Sequence, residues 1–186
     1  MDAFSYLSVL LSIILGLGLA QILTALGRLI RQRRKVSSYG PAWLWAFNLL
    51  LIHVQMWWSM FGLRDRAEWT FIAFGTVLLQ TAVLYMAAAV ILPADHDDSF
   101  DLRAHYQQHS VWLFGFLFAL VGVSLAKELV FEGALPDALN LGFHAFFMLA
   151  CALAAIFSNA RLHAVIAYTS TLSMLGYITL LFSRLA

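Results

Sequence analysis

Six runs of at least 22 residues contain no Asp, Glu, Lys or Arg, and they tile nearly all of this 186-residue chain: Ala3–Gly27, Val36–Leu63, Trp69–Ala94, Ala104–Ala126, Ala138–Ala160 and Leu162–Ser183. A helix rises about 1.5 Å per residue, so roughly 20 apolar residues cross the ~30 Å hydrocarbon layer of a bilayer. Each run is long enough to cross once. A helix on a water-soluble protein would meet charge about every two turns on its solvent face. The chain therefore reads as an all-α, polytopic integral membrane protein, a single-domain bundle of six transmembrane helices. The spans are expected near residues 4–30, 41–63, 69–92, 108–131, 137–158 and 162–183. Only 11% of residues are charged and the mean hydropathy is +0.83, so the partner is the lipid bilayer and not nucleic acid. A single cysteine, Cys151, lies inside the fifth span and excludes an intrachain disulfide.

The N-terminal Met1-Asp2-Ala3-Phe4 lacks the basic flank of a secretory signal, so the first apolar run is expected to be a retained helix. The loop after it carries Arg28, Arg31, Arg33, Arg34 and Lys35. Basic loops stay in the cytoplasm, which puts both termini outside and seven of the eleven Lys and Arg inside. Trp43, Trp45 and Trp112 then mark one membrane face and Trp57, Trp58 and Trp69 the other. A six-span chain with such short loops is expected in a bacterial cytoplasmic membrane. All three prolines fall at span borders, Pro41 and Pro136 where helices begin and Pro93 where the third closes.

Helix 1 carries Ser8, Ser12, Gly16, Ala20 and Thr24 at four-residue intervals. Small residues let two backbones approach closely, which replaces the hydrophobic drive that lipid does not supply. The ridge is expected to pack within the chain, or to serve as a homo-oligomer seam. A second pattern compares Gly16–Gly27 with Gly122–Gly133, which coincide at five of twelve positions and end helices 1 and 4. If it reflects duplication, the chain is two inverted three-helix repeats, as in several transporter folds.

Polar groups within a span are costly and become functional candidates. The candidates are His53, His144, Gln21, Asn48, Gln55, Gln80, Lys127 and Glu128. His53 and His144 fall at similar depth, which makes them candidate axial ligands of a b-type haem. His109 and His163 form a second pair near the opposite face. Asn48, Gln55 and Ser59 lie within about 40° of one another on helix 2 while His53 points about 140° away from Asn48. Both faces need neighbours, so helix 2 is expected at the centre. Gln21, Gln80, Tyr85 and the Thr169–Ser170–Thr171–Ser173 cluster are its candidate partners. Lys127 and Glu128 near the outer end of helix 4 read as snorkelling side chains, or as contacts to an ion or solute.

In the third loop, Asp101, His105 and His109 follow at i, i+4 and i+8 if a helix begins near Ser99, with Ser99 as its N-cap. Neighbouring members are candidate ligands of a divalent metal, with Asp97 or Asp98 assisting. No P-loop, G-x-S-x-G, H-E-x-x-H or C-x-x-C is present, so no enzyme class is indicated. The expectation is a small transporter or channel-like protein for an ion or small solute. A haem-binding redox protein and an assembly subunit using the helix 1 ridge are the alternatives.

Overall fold

The computed structural model describes residues 3–66, 68–93 and 100–181. It is a bundle of six helices: α1 (Ala3–Arg31), α2 (Gly40–Met60), α3 (Phe71–Ile91), α4 (Leu102–Glu132), α5 (Ala138–Ile156) and α6 (Ala160–Leu181). A single 3₁₀ turn, Phe61–Leu63, extends α2. All six are long and apolar enough to cross a membrane. Large apolar side chains face outward on every helix, from Leu17 on α1 and Val54 on α2 to Phe71, Phe118, Leu149 and Leu172. Only lipid covers such a surface at low cost. This is an integral membrane protein.

Local sequence explains where the helices start and stop. Pro41 opens α2, where a missing N–H costs nothing. Thr70, Asp101, Asp137 and Asn159 each accept backbone N–H bonds that the first turns of α3, α4, α5 and α6 leave orphaned. Gly133 ends α4 at φ 68°, a left-handed cap that suits glycine. Helix α4 begins at Leu102, six residues before the expected span, because Asp101 is its cap. The expected cap Ser99 lies outside the described residues.

Around the bundle the packing runs α1–α3–α4–α5–α6–α2 and closes with α2 on α1. Helix α2 also reaches across to α3 and α4, which makes it the central helix. Two short strands, β1 (Val36–Ser37) and β2 (Phe100–Asp101), pair in parallel with Val36 opposite Phe100. They fasten the α1–α2 and α3–α4 connections together at one end, here termed the basic end. At the other end Arg66 donates to the Phe131 carbonyl (3.0 Å) and Trp69 meets Phe131 edge-on, with Phe4 against Trp69. The start of α1, the α2–α3 connection and the end of α4 are thereby held together.

The two halves of the chain are packed differently. Duplicated three-helix units would repeat the extensive contact of α1 with α3 between α4 and α6, and the contact of α2 with α6 between α5 and α3. Neither has a counterpart of comparable extent among the described residues. A cavity, described below, lies between α4 and α6 instead, and the two helices meet at the basic end through Tyr106 and His163.

Helix 1 departs from expectation in a second respect. Its buried face is Leu11, Leu15, Gly18, Ile22, Ala25 and Leu29. The ridge is turned outward: Ser12, Gly16, Ala20 and Thr24 are exposed, and Ser8 is half-buried. The close approach occurs at Gly18, where an added Cβ would collide with the His53 imidazole of α2. Large side chains on either flank of the ridge had to go somewhere, and Leu11, Leu15 and Ile22 fill the interior. We therefore expect Gly18→Val to lower the thermal unfolding temperature in detergent, by the ~1–3 kcal/mol of an overpacked core. Wild-type stability in that variant would mean that α1 and α2 are not in contact there.

Candidate functional site

The face of α2 that carries Asn48 and Gln55 borders a cavity of about 100 Å³ between α2, α4, α5 and α6, with Gln80 of α3 also in its lining. From Trp45 to Met56, its α2 lining extends over about 16 Å of helix axis. The lining positions fall near the middle of each helix, so the cavity sits at mid-height in the bundle. Its walls are mostly apolar, including Ile52, Met56, Leu117, Leu120, Phe147 and Met174. Among the described residues, no Asp, Glu, Lys or Arg lines it.

Into this apolar space the structure brings four of the sequence candidates, Asn48, Gln55, Gln80 and His144. Asn48 is 1% exposed, and both its Oδ1 and its Nδ2 are buried without a hydrogen-bond partner. Ser170 of α6 is also 1% exposed, with its Oγ unpartnered. Buried polar atoms are nearly always paired, and each orphan costs about 1–3 kcal/mol. The Nε1–H of Trp45, a third lining residue, is likewise buried without a partner, and three such side chains in one cavity are the strongest chemical feature of the molecule. The rest of the Thr/Ser cluster is occupied with its own helix, since Thr169 donates to Val165 and Thr171 to Ala167.

His144 is held differently. Its Nδ1–H donates to the Asn140 carbonyl (2.9 Å), since a carbonyl only accepts. In the neutral ring Nε2 is then an acceptor, and it receives the Ser124 hydroxyl of α4 (3.1 Å). Tyr177 stacks edge-on against Phe143 (5.3 Å) and His144 (6.4 Å), so these rings form the rim of the cavity away from the basic end. One turn further along α4, Lys127 and Glu128 pair with each other at 3.6 Å and are largely covered by protein. They stand beyond the rim and not among the lining residues.

Toward the basic end an aromatic plug closes the cavity. Trp45, itself a lining residue, meets Phe114 edge-on at 5.2 Å; Phe114 in turn contacts Tyr106 and His163, and Tyr39 packs on Tyr106. His163 Nε2–H donates to the Phe157 carbonyl (2.8 Å), which leaves Nδ1 to accept the Tyr106 hydroxyl (2.9 Å). Burial pushes the Tyr39 phenol above its usual pKa, and the Arg103 guanidinium over its ring opposes this.

The haem expectation fails on geometry. His53 is fully buried, donates its Nδ1–H to the Leu49 carbonyl (2.7 Å), and lies against Gly18 of α1. His144 faces the cavity on the opposite side of α2, so the two rings do not bracket one iron. The second pair is not a pair either: His109 donates to the His105 carbonyl while His163 is engaged with Tyr106 and Phe157. The metal triad is also not assembled. Asp101 spends its carboxylate on the Arg103 and Ala104 amides, His105 donates to the Val90 carbonyl, and its ring lies on that of His109 at 4.3 Å. No group of three His, Cys, Asp or Glu fit to hold a metal occurs among the described residues. Asp97 and Asp98 lie outside them. Gln21 is half-buried on α1 and, like Tyr85, is not part of the cavity.

Ser124, Tyr177 and Trp45 are lining residues that sequence reasoning did not assign to a site. Helical spacing held a signal for Ser124, which continues the face of Leu117, Leu120 and Val121 on α4. No family model, curated protein or solved structure matches this chain. The functional reading therefore comes from the cavity itself.

Proposed function

We propose that this protein is a small transporter or channel-like protein whose mid-membrane cavity is the stopping place of a small solute. One observation carries the reading: the Asn48 side chain faces that cavity with both amide atoms buried and unpartnered. A bilayer offers no water to rescue such a group, so an intramembrane polar side chain is by default a functional one. A substrate polar enough to bond Asn48 and Ser170 relieves the cost that the empty fold carries. The rim of His144, Ser124 and Tyr177 lies on the way in from one membrane face. The plug of Trp45, Phe114, Tyr106 and His163 bars the way to the other.

The orientation that fits this reading is N-out, in the cytoplasmic membrane of a bacterium, with the Arg28–Lys35 loop in the cytoplasm. The rim then opens toward the outside and the plug faces the cell interior.

The test uses two readouts on Asn48→Leu. Replacing a buried, unpaired carboxamide with an apolar group of similar size removes a desolvation penalty, so the variant is expected to unfold at a higher temperature, by an increment of ~1–3 kcal/mol. Solute flux into liposomes carrying the variant is expected to fall to the protein-free level. Lower stability together with full flux would make Asn48 an ordinary packing residue and end this proposal.

A second reading concerns assembly. Gly16 has no neighbour within 4 Å of the position a Cβ would take, and the exposed ridge runs on through Ser12, Ala20 and Thr24. We propose that α1 pairs with α1 of a second copy along this ridge. Gly16→Leu is then expected to shift the protein in lipid nanodiscs or mild detergent from dimer to monomer by light scattering. An unchanged mass would remove the α1 seam.

A further inference from the structure

We infer that the cavity selects a small uncharged solute of the carboxamide or urea type; this rests on the transport role proposed above. The hydrogen-bonding capacity of Asn48 sets the solute class. Its carboxamide presents one acceptor and one two-proton donor side by side, and neither finds a partner in the protein. A bare cation would satisfy Oδ1 and leave the Nδ2 protons orphaned. An anion would do the reverse. A carboxamide or a urea satisfies both at once, through two parallel N–H···O bonds to the same side chain.

The walls point the same way. Among the described residues no formal charge lines the cavity, and its apolar lining would strip an ion of water without offering a counter-charge. A neutral solute does not incur that cost. Ser170 stands on α6, which packs directly on α2, and its hydroxyl is a second unpartnered group with both donor and acceptor capacity. Gln55 and Gln80 add two further carboxamides to the lining. At about 100 Å³ the space is well below the ~300–1,000 Å³ of drug-sized pockets. It suits a solute of a few non-hydrogen atoms.

Two isosteric pairs isolate charge from shape: urea with guanidinium, and acetamide with acetate. The full chain is reconstituted in phosphatidylcholine–phosphatidylglycerol vesicles, with stopped-flow light scattering for the neutral solutes and tracer uptake for the ions. Urea and acetamide are expected to enter at least tenfold faster than into protein-free vesicles, and the two ions no faster. Asn48→Asp, which keeps the shape and loses the donor, is expected to abolish the acceleration. Faster entry of the ions than of their neutral partners overturns the solute class and leaves the transport role standing. Accelerated water alone, without urea or acetamide, overturns the solute class as well.

If no solute crosses, the transport role falls and the solute class is decided by binding. Cys151 is the only cysteine in the chain and lines the cavity. Acetamide is then expected to slow its modification by methyl methanethiosulfonate several-fold, read by intact mass, while acetate does not. Equal protection by both, or by neither, overturns the inference.

Discussion

An unpaired carboxamide in the middle of a membrane protein is the constraint around which this bundle is organised. In water such a group exchanges one set of hydrogen bonds for another, but between lipid-facing helices it has only the protein to bond. Backbone groups solve that problem by forming helices. Side chains solve it locally when they are Ser or Thr, and most hydroxyls here do so: Thr76, Thr81, Thr171 and Thr179 each bond a carbonyl of their own helix. Asn48 and Ser170 do not, and both face the same space. A packed apolar core would be more stable without them.

Helix α2 resolves two competing demands by having two polar faces. On one, His53 uses its own helix carbonyl as acceptor for Nδ1–H, keeps Nε2 buried without a partner, and fits against α1 because residue 18 is glycine. On the other, Asn48 and Gln55 meet the cavity that holds α2 away from the midpoint of α4. The remaining helices follow. Helices α5 and α6 complete the wall, α3 supplies Gln80, and α1 with α3 forms a tight apolar pair on the far side. At the basic end, the β1–β2 bridge and the Tyr106–His163–Phe157 chain of hydrogen bonds tie three connections together.

The six spans were readable in the sequence because lipid enforces them: charge-free runs of 22 residues or more have few other solutions. The central position of α2 was readable too, since two polar faces on one helix require two sets of neighbours. Individual polar candidates followed from the cost of burying them, and Asn48, Gln55, Gln80 and His144 do share one cavity. Which of them meet was beyond the pattern. A helical wheel gives the direction of His53 but not that α1 stands there, so the pairing of His53 with His144 had no means of being excluded. The ridge of small residues on α1 had the same weakness, because spacing cannot say whether the neighbour is inside the chain or outside it. The Asp101–His105–His109 spacing presumed a helical Asp101, whereas a carboxylate at a helix start is drawn to the free amides of the first turn.

The most direct measurement is the side-chain amide spectrum of protein labelled with ¹⁵N only at asparagine. The chain contains three, Asn48, Asn140 and Asn159, and Asn159 serves as an internal control because it caps α6 outside the cavity. Titration with acetamide is predicted to move the Asn48 NH₂ resonance saturably while that of Asn159 stays in place. An unmoved Asn48, or equal linear drift of Asn48 and Asn159, would contradict the account that this side chain is the cavity's unfilled hydrogen-bonding site.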